Sequence, residues 1–245
     1  MIAKKGHIFI FLLLGIFFSC NSDQNANLAV YRVNFETNPI NGEIKSSLVM
    51  DSMVAPYQRE LAREMDEIIS YSKTHLERGL PQGKLGNLMT DISLHFIIDN
   101  YLTYTSSPVV CIMNYGGIRA PINKGDITKG DIFKVMPFDN TLVMLGVSTQ
   151  IMDSIHTRIL DANGEPFSGF TIDKKSWSFK EHKKKQDTVW VVTTDYLAGG
   201  GDRMGFLKYH FTRENTGVLL RDLLLEEIER KDTLNIELDQ RIVLE

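Results

Sequence analysis

Residues 108–119 read Pro108-Val109-Val110-Cys111-Ile112-Met113-Asn114-Tyr115-Gly116-Gly117-Ile118-Arg119. The apolar, β-branched opening has strand composition, and the glycine pair ends the strand in a turn. The pattern returns further along. Thr188 to Thr194 is a second β-branched run, and Leu197-Ala198-Gly199-Gly200-Gly201-Asp202 follows it. Glycine permits positive φ and lets a ligand approach the backbone closely. An arginine closing one such turn and a carboxylate closing the other read as two halves of one polar pocket.

Working outward from these turns, helical and extended patterns alternate. Asp51 to Ile69 places Met53, Val54, Tyr57, Leu61 and Met65 at helical spacing, with Asp51 or Ser52 as its cap. Gly83 to Leu102 is a second helix, with an apolar stripe from Leu85 to Leu102. Shorter helices are expected at 128–135, 149–160 and 218–229, and strands at 28–35, 141–147 and 170–173. Asn38 to Gly42 and Asp161 to Gly164 are turns, and Lys180 to Gln186 is a charged loop. The expected fold is a single α/β (α+β) domain over residues 29–245, a mixed β-sheet with flanking helices.

The N-terminus has a different composition. Lys4 and Lys5 precede the apolar run Ile8 to Phe18, and Ser19-Cys20 closes it. This is an export signal, too short for a membrane span. Residues 1–19 are read as a lipoprotein signal peptide, Cys20 as the lipidated residue and 20–28 as a polar tether; the alternative is a conventional signal peptide with an incidental cysteine. Removing residues 1–19 removes two lysines and takes the net charge from −4 to about −6. That balance argues against binding a nucleic-acid polymer through bulk charge. A small anion needs only a local cation. Cys111, the other cysteine, lies in the apolar strand and reads as a buried small hydrophobe.

The candidate site residues follow from side-chain chemistry. The Arg119 guanidinium suits phosphate or carboxylate, and the Asn114 amide can donate and accept. Gly116, Gly117 and Gly199 to Gly201 supply the turns. Phe138, in Pro137-Phe138-Asp139-Asn140, and Tyr196, just before the second turn, offer two rings at loop positions. Such rings can clamp a planar base, at ~1–3 kcal/mol per stacked base. Asp202 can accept bonds from vicinal ribose hydroxyls. Taken singly, each has a plain alternative: a surface turn arginine, a core phenylalanine, a turn aspartate bonded to its own backbone. Together they compose a nucleotide site.

At these residues the chain resembles the C-terminal domain of the 5′-nucleotidase family. The matching elements are Leu85-Gly86-Asn87-Leu88 with Asp91, Asn114-x-Gly-Gly-Ile-Arg119, Pro137-Phe138 and Leu197-Ala-x-Gly-Gly-Asp202, in order over roughly residues 45–230. The resemblance implies that Phe138 and Tyr196 stack on the base, that Asn114 and Arg119 hold the substrate, and that Asp202 takes the ribose. It also implies an arginine shortly before Leu85, for which Arg78 is the nearest candidate and Lys84 the second. The chain departs from the pattern at Tyr115, where a small residue is common, at Tyr196 in place of phenylalanine, and at Arg203 in place of glycine. Arg203 would narrow the pocket or add an anion contact.

In that family an N-terminal domain with two divalent metals activates the attacking water. This sequence offers no Asp-x-His or Gly-Asn-His cluster among its six histidines, no Gly-x-Ser-x-Gly elbow and no phosphate-binding glycine loop of the Walker type. No catalytic residue and no metal or cofactor is therefore expected in this chain, and about 25 residues before the family-like part leave no room for the metal domain. The expectation is an exported, membrane-anchored lipoprotein, at the periplasmic or outer-membrane face, that binds a nucleotide or nucleoside. A separately encoded metallophosphatase chain would carry the two metals. The alternative is a non-catalytic nucleotide-binding protein at the cell surface.

Overall fold

A computed structural model describes residues 46–102, 105–180 and 187–243. The expected signal peptide, Cys20, the tether, the strand at 28–35, the turn at 38–42 and most of the loop at 180–186 lie outside the described residues. The compact unit begins at Leu48.

Its elements are α1 (Leu48–Met65), β1 (Ile68–Ser72), α2 (Lys84–Asn100), β2 (Val109–Ile112), β3 (Gly125–Thr128), α3 (Lys129–Val135), β4 (Thr141–Ser148), α4 (Ile151–Asp161), β5 (Phe167–Ser168), β6 (Phe170–Asp173), β7 (Trp177–Phe179), β8 (Thr188–Thr194), α5 (Asp195–Ala198), β9 (Thr212–Leu219), α6 (Leu220–Glu229), β10 (Thr233–Leu234) and β11 (Ile242–Val243).

The organising layer is a five-stranded mixed sheet in the order β5-β2-β8-β4-β9. β2 and β8 run parallel, with Val110 opposite Val191 and Cys111 opposite Val192; the other pairings are antiparallel. Side chains alternate across a strand, and here the alternation sorts them into two cores. Cys111, Met113, Leu142, Met144 and Val192 join the core that contains α2 and α6 residues such as Met89, Ile97, Leu220 and Leu224. Val110, Ile112, Val143, Leu145 and Val191 join the other, with Met152, Ile155 and Ile159 of α4. The central strands are thus covered on both faces, which is why they read as continuous apolar runs rather than alternating ones. Two three-stranded sheets, β10-β1-β3 and β11-β6-β7, flank this layer.

The mixed α/β architecture is the expected one, with several local differences. The first helix ends at Met65, not Ile69, because Ile68 and Ile69 belong to β1, which pairs with β3. It starts at Leu48, so Asp51 and Ser52 sit inside it and cap nothing. Its apolar stripe packs little: no residue of α1 is buried, and Met53, Tyr57 and Leu61 are all exposed. Val218 lies near the end of β9, and the last helix begins at Leu220. The sequence pattern does not announce β9, since Thr212 to Asn215 is polar and forms a sheet edge. α3 starts on a reciprocal cap: the Thr128 hydroxyl accepts the Asp131 N–H, and the Asp131 carboxylate accepts the Thr128 N–H.

Candidate functional site

β2 and β8 are adjacent and parallel, so the two glycine turns leave the sheet side by side at the carboxyl ends of these strands. This is the place where ligands enter parallel sheets. The first turn is one tight 3₁₀ turn, Tyr115–Gly117. Asn114 precedes it in extended conformation, and the Gly117 N–H bonds back to the Asn114 carbonyl at 3.1 Å. A Cβ at Gly117 would stand 2.8 Å from Asn114 Oδ1, so glycine is needed to let the amide fold over the turn.

The second turn is built differently. Tyr196, expected in a loop, lies in the short helix α5, capped by the Thr194 hydroxyl. Gly200 has φ +87°, and Asp202 and Arg203 follow at φ +48° and +63°. Such left-handed geometry is natural for glycine and costly for side-chain-bearing residues. Gly201 passes under the Tyr196 ring, where a Cβ would come within 2.4 Å of Cζ.

Phe138 reaches the site on the segment between α3 and β4. Arg221 of α6 pairs with Asp139 at 2.7 Å, and the Leu220 N–H bonds the Asn140 carbonyl at 2.9 Å. Asp195 ties this segment to α5: its Oδ1 accepts both the Thr141 N–H (3.2 Å) and the Tyr196 N–H (2.8 Å). One carboxylate therefore sets the backbones that carry both rings.

The result is a cavity of about 380 Å³ lined by Asn114, Gly116, Gly117, Arg119, Phe138, Asn140, Tyr196 and Asp202, within the usual size of small-molecule sites. Phe138 and Tyr196 are 40% and 52% exposed, so neither ring is spent on the core. The Arg119 guanidinium stands 6.0 Å from the Phe138 ring centroid. Asp202 Oδ2 accepts the Asn114 amide at 2.8 Å; this bond, rather than a turn bonded to its own backbone, holds the carboxylate.

Two candidates fall outside the lining. Arg78 stacks on the Tyr115 ring at 4.4 Å and donates to the Ile118 carbonyl at 3.1 Å, so it braces the first turn from behind. Lys84 pairs with Glu237 at 3.3 Å. Arg203 neither narrows this cavity nor adds a cation to its lining; it lines a separate groove with Asp153, Thr157, Arg158 and Asp161. Asp91 has a structural role: its carboxylate takes both nitrogens of the buried Arg241 fork, at 3.1 and 3.0 Å.

Sequence reading missed Asn140, Asp195, Arg158 and Glu165. Only Glu165 carried a signal, a charge set between Gly164 and the apolar Pro166-Phe167. It is nearly fully buried, accepts the Tyr115 N–H and forms an ion pair with Arg158. Burial pushes its carboxyl above the ordinary range, although Tyr115 and Arg158 pull the other way.

Residues 67–171, which include the first glycine turn and Phe138, match the family described as 5′-nucleotidase, C-terminal domain. Over that stretch the sequence is that of a 5′-nucleotidase C-terminal domain. It is 27% identical over 233 residues to an apyrase of Anopheles gambiae, covering 84% of this chain and 40% of that protein. It is 24% identical to a 5′-nucleotidase of Vibrio cholerae, covering 83% and 38%. The fold matches the 5′-nucleotidase precursor of Thermus thermophilus with a TM-score of 0.63 at 24% identity, covering 80% of this chain and 43% of that one. The chain thus spans about two fifths of the length of these three relatives. Among the described residues no group of His, Cys, Asp and Glu could hold a metal ion. No described helix is long and apolar enough to cross a membrane.

Proposed function

We propose that this domain grips the nucleoside end of a nucleotide and presents the phosphate ester to a metal-bearing phosphatase module carried by a separate chain. The observation that carries the reading is the convergence of Phe138, Tyr196, Arg119, Asn114 and Asp202 on one cavity. The rings stack on the base, Asp202 accepts from the ribose hydroxyls, and Arg119 with Asn114 steadies the anionic end. The backbones of Gly116 and Gly117, which line the cavity, let the sugar approach.

The two divalent ions of a metallophosphatase have no fitting donor set among the described residues. No metal step is therefore assigned to them, and hydrolysis belongs to the partner. The proposal also places the chain outside the cytoplasm on a lipid at Cys20, from the Lys4-Lys5, Ile8–Phe18, Ser19-Cys20 pattern.

Calorimetry with a panel of nucleoside monophosphates, and a phosphate-release assay with and without a co-expressed metallophosphatase, test this together. Binding alone and turnover only with the partner is the expected result. Turnover by the isolated chain would overturn the division of labour. Binding that never yields turnover with any such partner would leave a nucleotide-binding protein, and silence across the panel would remove the nucleotide reading altogether.

A further inference from the structure

Asp202 is the one carboxylate in the cavity lining, and two neighbours compete for it. Its Oδ2 is taken by the Asn114 amide. Its Oδ1 lies 3.9 Å from Nη2 of Arg158, beyond hydrogen-bond reach. The same Nη2 is held instead by Glu165 Oε1 in a close ion pair. The Glu165 side chain is 2% exposed and that of Arg158 14% exposed, so this pair is formed away from water, where a charge left alone is strongly unfavourable. The Arg158 Nε is buried with no hydrogen-bond partner. The guanidinium is therefore anchored mainly by Glu165, and two carboxylates face one cation.

We propose that Glu165 is a positioning residue for the site: by holding the Arg158 guanidinium, it keeps Asp202 Oδ1 open to the ribose hydroxyls. The inference rests on the nucleoside reading above. Without the Glu165 charge, Arg158 turns to Asp202, where a forked pair is the strongest contact available to it. Asp202 is then occupied before any sugar arrives. Glu165 also bonds the Tyr115 N–H at 2.5 Å, so a single buried side chain fixes the first turn directly and the acceptor of the second turn through Arg158. The Asp202 backbone, at φ +48° and ψ +44°, gives the carboxylate a fixed origin, so its availability depends on which neighbour claims it.

The test compares adenosine 5′-monophosphate with its 2′,3′-dideoxy analogue by calorimetry, in the full chain. The wild type is expected to prefer the ribose form by roughly tenfold or more, the size of hydrogen bonds to a charged group. Glu165→Gln keeps an acceptor for Tyr115 but frees Arg158. It should lose most of that preference while its affinity for the dideoxy analogue stays within about twofold, since both rings and Arg119 are untouched. Adding Arg158→Met to Glu165→Gln removes the competitor and should restore the preference. Arg158→Met alone should retain it, and this variant carries the test if Glu165→Gln fails to fold.

An unchanged preference in Glu165→Gln overturns the inference, as does a double variant no better than the single one. Equal loss of both analogues in a folded Glu165→Gln overturns it too, because a merely structural role does not distinguish the sugars. A wild type that binds neither analogue brings down the nucleoside reading and this inference with it. A wild type with ribose preference that survives Glu165→Gln overturns the inference alone.

Discussion

The two glycine turns look alike in sequence, yet glycine serves a different purpose in each. In Asn114 to Arg119 the turn is an ordinary 3₁₀ turn. A side chain is excluded at Gly117 because the Asn114 amide folds against it, at 2.8 Å from where a Cβ would be. In Leu197 to Asp202 the backbone itself is unusual, with Gly200 at φ +87°, and Gly201 forms the floor beneath the Tyr196 ring. The first turn shapes a polar contact, and the second shapes a ring platform. A glycine-rich motif thus says that something comes close, and only the surroundings say what.

The sharpest way to break this contrast is Gly201→Ala. The added methyl would meet three atoms of the Tyr196 ring at 2.4 to 2.6 Å, so the ring has to leave its place. Loss of one stacking face predicts a drop in nucleotide affinity of about 1–3 kcal/mol, roughly five- to 150-fold, read by calorimetry. Gly117→Ala displaces only a rotatable amide, and a smaller loss of about 1 kcal/mol is expected, the size of one hydrogen bond. Equal effects at the two positions would erase the distinction.

Equal in size are the rings themselves. Phe138→Ala and Tyr196→Ala should each weaken nucleotide binding by about 1–3 kcal/mol with little change in melting temperature, because both rings are substantially exposed. Unchanged affinity in both variants would remove the clamp, whatever the turns do.

The central strands were legible because burial on both faces leaves apolar runs, and the long helix α2 because it keeps an apolar stripe from Leu85 to Leu102, although Leu85 to Thr90 are buried all round. Asn114, Arg119, Tyr196 and Asp202, picked out beside the glycine turns, and Phe138, picked out beside a proline, line one cavity. What holds these residues was not legible. Asp195 and Arg158 lie in ordinary helical sequence, and their importance arises only when α5 meets Thr141 and α4 meets Asp202. Arg78 has the right charge and position along the chain but is placed by the Tyr115 ring behind the turn. Nor could periodicity say what the α1 stripe faces, since spacing identifies a face and not its cover.

Backbone conformation gives a third, smaller test, this time of stability. Gly200→Ala forces a side chain into the left-handed region, at about 1–2 kcal/mol, with the flexible end of Lys208 also in the way. Gly116→Ala meets only the Asn114 amide nitrogen at 3.5 Å and Asp202 at 3.8 Å, ordinary contacts, so a change within about 0.5 kcal/mol is expected. Urea unfolding of the two variants beside the wild type reads the difference. A Gly200→Ala protein as stable as Gly116→Ala would mean that the second turn needs glycine only for the ring.

The smallest effect concerns the residue shared by both turns. Burial raises the Glu165 carboxyl above its ordinary value, against the opposing pull of the Tyr115 N–H and Arg158. A carboxyl raised on folding favours the folded state while it is protonated. That contribution is complete below the unfolded pKa, about 4.3, and is lost as pH rises through the folded value. Wild-type stability should therefore fall relative to Glu165→Gln as pH is raised from about 4 toward neutrality, and the two curves should then run parallel. Thermal melts of both proteins across that range read the slope. A gap that widens in the other direction would mean that the pair with Arg158 outweighs burial, and that Glu165 stabilises the two turns as an ion rather than burdening them.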